Sequence, residues 1–182
     1  WCDQFQCPQR RRLQVWKQRM KRIDLELSQP NPHFIGSWSI EPLSICDELI
    51  NFFETHPSNH TKGQMAGGLN TESKNSTDLA IRPRDLELPD HEPLRTYIES
   101  LFDCYKDYLE QWPFLESVLP SAEVGSFNIQ KYEPGGHFMK IHSERTTIDT
   151  SHRVLAWMTY LNDVEDGGST RFEHQDFECQ PQ

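Results

Sequence analysis

The sequence predicts an α+β fold, a sheet or barrel core braced by helices. Three observations lead there. Apolar residues recur at helical spacing as far as about residue 112, and beyond Pro120 the period changes to two. Between the helical stretches lies a segment rich in Gly, Asn, Ser, Thr and Pro, the composition of loops. The 182 residues suit one domain with a core of its own. Mean hydropathy is low at -0.75, but an aromatic content of 11% argues against disorder.

Taken in order, residues 1–30 form a basic arm, with seven Lys/Arg against three Asp/Glu. Leu13, Trp16, Met20 and Ile23 recur at helical spacing between basic residues, so the arm is expected to be helical and to pack on the body. Contact with a membrane surface or nucleic acid is its rival role. Two prolines in "QPNPH" end it. Residues 31–182 form the globular domain. "HFIGSWSI" reads as a short strand. A helix then starts near Pro42, with Leu43, Cys46, Leu49, Ile50 and Phe53 on one face. Residues 57–89 read as loop or short hairpin. Residues 93–111 give the clearest helix, its apolar stripe running through Leu94, Tyr97, Ile98, Leu101, Tyr105, Tyr108, Leu109 and Trp112. Residues 127–132 alternate as a strand. Residues 154–161 are an apolar run that predicts a strand buried on both faces. "EDGGST" is a turn, "TRF" a short strand, and "DFECQPQ" begins another.

Charge and cysteine usage narrow the class. Outside the arm, eleven Lys/Arg face 25 Asp/Glu, which gives no strong nucleic-acid signal. Five scattered cysteines without a CxxC read as reduced thiols, and with no apolar run near the ~20 residues of a membrane span, the expectation is a soluble, intracellular, cytoplasmic protein. The sequons at Asn59 and Asn75 are short enough to arise by chance.

The stretch that carries chemistry is "YEPGGHFMKIHSERT". On a strand, His142 and Glu144 project from the same face, so both can meet one cation. One imidazole and one carboxylate, completed by a ligand from elsewhere, make the facial triad of non-haem iron(II) oxygenases. Composition alone yields about one His-x-acid triplet by chance. The chain has two, the other being His174-Gln175-Asp176, so context has to separate them. Around the first pair, "Y-x-P-G", "H-x-acid", "R-x7-L-N-D" and "G-G-x-T-x-F" follow in order between Phe127 and Phe172. In this the chain resembles the prolyl 4-hydroxylase-like family of iron(II)/2-oxoglutarate dioxygenases, closely over residues 127–172 and loosely over residues 35–182.

That resemblance implies a double-stranded β-helix, or jelly-roll, core braced by N-terminal helices. It implies Fe(II) and 2-oxoglutarate as cofactors, ascorbate as a candidate reductant, and hydroxylation of an unactivated C–H bond. A peptide or protein side chain such as proline is a candidate substrate. His142 and Glu144 fall at metal-ligand positions, with Glu144 where the family usually has Asp. Tyr132 and Tyr160 fall at positions lining the co-substrate pocket, and Arg153 falls at a position more often structural. His137 and His152 are expected at the surface or the pocket rim, and the second pair, His174 and Asp176, on a surface turn. The family's third ligand, a later histidine, and its basic 2-oxoglutarate partner are expected beyond Gln182, so the C-terminal strands are expected to be missing. The 182 residues alone are then expected to bind iron weakly or not at all and to be inactive. The alternative is a non-catalytic jelly-roll that binds a ligand or partner and has lost its metal site.

Overall fold

A computed structural model describes residues 20–26, 32–65, 67–119 and 121–181. Strand β1 (Met20–Ile23) pairs antiparallel with β2 (Ser37–Ile40), joining Met20 to Ile40 and Ile23 to Ser37. The helical reading of the arm is therefore corrected at these four residues. A spacing of three between Met20 and Ile23 fits a helix, but the backbone finds ladder partners in β2. The rest of the arm lies outside the described residues, apart from residues 24–26, which are irregular.

Helix α1 (Ser44–Thr55) buries Ile45, Leu49, Phe52 and Phe53. Leu43, expected on that face, is instead exposed just ahead of the first turn. Residues 57–89 hold more than a loop. Strand β3 (His60–Lys62), the two-residue strand β4 (Lys74–Asn75) and strand β5 (Thr77–Ile81) all fall there. β5 is the centre of a three-stranded antiparallel sheet, with β3 on one side and β6 (Phe127–Lys131) on the other. In its register Leu79 lies opposite Ile129, and Asp78 lies opposite Gln130. Side chains alternate along a strand, so Leu79 and Ile81 enter the core while Asp78 faces the other way.

Helix α2 (Glu92–Gln111) starts with Pro93 in its first turn, where the missing N–H costs nothing. It packs Leu94, Tyr97 and Ile98 with α1, Leu79 and Ile81 in the main core. Its buried surface is wider than one apolar stripe and includes Ser100, Asp103 and Cys104. At Cys104 the β1–β2 hairpin is the reason, because it covers a further side of the helix. Met20 packs on Cys104 there, and Trp38 joins Tyr108 and Trp112. Asp107 accepts hydrogen bonds from Arg22 Nε at 2.7 Å and from Trp38 Nε1 at 2.8 Å, tying hairpin to helix. A short helix α3 (Phe114–Val118) follows Pro113.

Two small pairings complete the described structure. β7 (His137–Phe138) pairs with β4, and β8 (Thr170–Phe172) forms a hairpin with β9 (Phe177–Cys179). Residues 154–161 were expected as a doubly buried strand and are not one. No ladder partner meets them among the described residues, and Val154, Leu155, Trp157 and Met158 stand exposed. Cys46, Cys104 and Cys179 are free thiols, while Cys2 and Cys7 lie outside the described residues. Among the described residues, no helix is long and apolar enough to cross a membrane.

Candidate metal-binding loop and its buried support

The glycine turn sets the geometry. Gly135 has φ +82, and a side chain at Gly136 would run into the carbonyls of Glu133 and Asn75. The turn leads into β7, which pairs with β4 so that Phe138 lies opposite Lys74 in the ladder. Beyond β7 the chain leaves the sheet. His142 and Glu144 therefore sit on a loop, not on the strand that their spacing suggested.

The loop nevertheless brings them together, with His142 Nε2 3.5 Å from Glu144 Oε1. The imidazole stacks on the Phe138 ring at 4.7 Å and 26°. Its Nδ1 lies 2.9 Å from the Lys140 carbonyl. A carbonyl can only accept, so Nδ1 carries a proton, and Nε2, which faces Glu144, is the nitrogen placed to meet a metal. Arg153 Nη1 holds the other carboxylate oxygen, Oε2, at 2.8 Å. Sequence reasoning left Arg153 without a role at this site, and here it orients a candidate ligand.

A nitrogen lone pair and a free carboxylate oxygen fit two positions of an iron(II) site. Among the described residues, no group of three or more His, Cys, Asp or Glu is arranged to hold a metal. Both side chains are partly open to solvent.

Tyr132 follows β6 directly and donates its hydroxyl proton to Gln130 Oε1 at 3.0 Å. Burial, and secondarily the negative charge of Asp78, push its hydroxyl pKa up. Tyr160 lies elsewhere: its hydroxyl is 2.8 Å from Thr170 Oγ1 and 3.2 Å from the Cys179 carbonyl, on the β8–β9 hairpin. Burial raises its pKa too. Neither tyrosine has a hydrogen bond or ring contact with His142 or Glu144 among the described interactions. His174 and Asp176 are exposed around a turn with Asp176 in the left-handed region, and no hydrogen bond or ion pair joins them among the described interactions. His137 hydrogen-bonds the Gly135 and Glu72 carbonyls and is committed to the turn. His152 is exposed.

The feature that sequence reasoning missed lies behind this loop. Lys74, Ser76 and Asp78 are 3, 5 and 5% exposed. Asp78 accepts from Lys74 Nζ at 2.7 Å, from Ser76 Oγ at 2.7 Å and from Gln130 Nε2 at 3.3 Å. Lys74 Nζ also lies 5.5 Å from the centre of the Phe138 ring. Gly63 closes the cluster, for a Cβ there would lie 2.9 Å from Lys74 Cε and would overlap Ser76 Oγ. No spacing rule marks a buried ion pair between the two-residue strand β4 and β5, and charged residues are seldom this buried.

Sequence similarity agrees with one family name over a limited stretch. The chain is 31% identical over 70 residues to "Probable prolyl 4-hydroxylase 9" of Arabidopsis thaliana. The likeness is partial. It takes in 36% of this chain and 24% of that relative, so the chain spans about a quarter of the relative's length. No family model matches, and no solved structure matches.

Proposed function

We propose that the chain works as, or within, an iron(II)- and 2-oxoglutarate-dependent dioxygenase that hydroxylates an unactivated C–H bond. A proline side chain in a peptide or protein is the candidate substrate. The observation that carries this reading is the pairing of His142 Nε2 with Glu144 Oε1 at 3.5 Å, with the imidazole tautomer set by the Lys140 carbonyl. The motif order around the pair and the partial likeness to a prolyl 4-hydroxylase support it. When bound, iron(II) and 2-oxoglutarate supply the oxygen chemistry, with ascorbate as the reductant. In this reading His142 and Glu144 hold the metal, and Arg153 turns one carboxylate oxygen away so that the other is free. The resemblance assigns Tyr132 and Tyr160 to the co-substrate pocket of a double-stranded β-helix, which requires Tyr160, here held on the β8–β9 hairpin, to come to the loop.

The test is iron-dependent conversion of 2-oxoglutarate to succinate by the longest chain carrying this sequence. His142→Ala is expected to abolish turnover, because the metal loses a protein ligand. Glu144→Asp is expected to retain or raise it, and His174→Ala to leave it unchanged. Loss of iron binding in His174→Ala with retention in His142→Ala would mean that the wrong pair was chosen. A second reading, a ligand- or partner-binding domain without a metal, is favoured by the absence of a third ligand among the described residues. Iron-free protein that binds its partner, together with no turnover under any iron loading, would decide for it.

A further inference from the structure

We propose that the buried Lys74–Asp78 pair is the positioning device of this site, holding the His142 imidazole through Phe138 and the Tyr132 hydroxyl through Gln130. The inference rests on the metal and co-substrate roles just proposed for His142 and Tyr132. Two charges with so little exposure need a full set of partners, and Asp78 has one: Ser76 on one oxygen, Lys74 and Gln130 on the other. The carboxylate is thereby fixed, and it fixes two neighbours in turn.

On one side, the Gln130 amide is oriented by what it touches. Its Nε2 donates to Asp78, so its Oε1 must face Tyr132 and accept that hydroxyl's proton. Tyr132 is left to offer a ligand its ring, with its hydroxyl held between Gln130 and Ser76. On the other side, the Lys74 ammonium sits near the Phe138 ring, an attraction of charge for the ring's electron-rich face. Phe138 also carries the His142 stack. The stack sets the plane of the imidazole, and the Lys140 carbonyl sets its rotation within that plane. A chain of contacts thus runs from Tyr132 to His142 through one buried pair. Groups in direct contact with a metal ligand, as Phe138 is with His142, commonly change affinity by about 10- to 100-fold, and the ion pair acts on that contact.

The experiment uses nuclear magnetic resonance on the 182-residue protein, reading the His142 tautomer, the ring-current displacement of its protons and their broadening by Mn(II). The unaltered protein is expected to show the Nδ1–H tautomer and displaced ring protons. The double variant Lys74→Met/Asp78→Asn leaves no charge buried and is checked for folding by near-ultraviolet circular dichroism. It is expected to lose the displacement and to need about 10- to 100-fold more Mn(II) for half-broadening. Phe138→Leu keeps the ion pair but takes the ring current away with the ring, so only its Mn(II) requirement is read, and that is expected to rise likewise; Lys74→Gln/Asp78→Asn, a neutral polar pair of similar shape, replaces the double variant if that one does not fold. Ile98→Val, a core change elsewhere, is expected to move neither signal, which separates positioning from general stability. A folded double variant with wild-type His142 signals would overturn the proposal, as would an undisturbed Phe138→Leu. If Mn(II) broadens no His142 signal in these 182 residues, which lack the expected third ligand, the ring-current comparison alone decides the positioning, and the metal reading is decided by iron binding of the longest chain carrying this sequence.

Discussion

Around β5 and the two long helices, Leu49, Leu79, Ile81 and Leu94 are shut away from water, whereas Met139, Ile141 and Ile148 are 70, 77 and 90% exposed. Both regions have apolar side chains in quantity, and they differ in what covers them. The first has a three-stranded ladder on one side and α1 and α2 on the other. The second follows β7 into irregular chain. It is anchored to the rest at few points, among them Trp157 Nε1, which donates to Tyr97 Oη at 3.0 Å, and Thr159 Oγ1, 2.9 Å from the same hydroxyl. Apolar composition gives a chain the means to form a core, but burial requires a second surface. The candidate ligands lie in the open region and their support lies in the covered one.

Four measurements test that contrast. Lys74→Met alone should be the most damaging change, at about 3–5 kcal/mol in urea denaturation, because it strands a buried carboxylate. A cost near zero would mean that water reaches Asp78 and that the pair belongs to the open region. Leu94→Ala, a cavity in the covered core, should cost about 2–5 kcal/mol by the same measurement. Alkaline pH should act next. Burial, then the charges of Asp103 and Asp107, push the Cys104 thiol from 9.0 to about 12. The folded state therefore holds a proton that the unfolded chain releases. Its contribution is intact below about pH 9 and is lost as pH rises to about 12. Cys104→Ala should flatten this part of the stability profile, and an unchanged slope would refute burial of that thiol. Ile148→Ser should change stability least, within about 0.5 kcal/mol, as for other surface positions. A cost of several times that would show residue 148 covered in solution and would erase the contrast.

How much was legible in the sequence follows the same line. The helix expected at residues 93–111 is observed as Glu92–Gln111, and the strand expected at residues 127–132 as Phe127–Lys131. Both patterns are long enough for periodicity to speak. β5 was hidden because "TDLAI" is short and follows a polar stretch of loop-forming residues, and its core role comes from neighbours distant in sequence. Residues 20–23 misled because a spacing of three suits a helix while the ladder to β2 decided otherwise. Residues 154–161 misled in the opposite sense, since an apolar run specifies a strand only where another strand meets it. At the site, the nearness of His142 and Glu144 was legible but its cause was not: the loop, rather than strand alternation, brings them together. Lys74, Asp78 and Gln130 were invisible because only the pairing of β4 with β7 and of β5 with β6 assembles them.

Gly63 shows what this packing asks of a residue with no functional group. Its backbone N–H donates to the Ser76 carbonyl at 2.9 Å, and the space a methyl group would need is already filled by Ser76 Oγ. Its φ is not in the left-handed region, so the demand is for room alone. In a scan that replaces every residue in turn, position 63 should tolerate substitution as poorly as the ion pair beside it. A map of such intolerance would then mark as chemical a position whose whole contribution is to be empty.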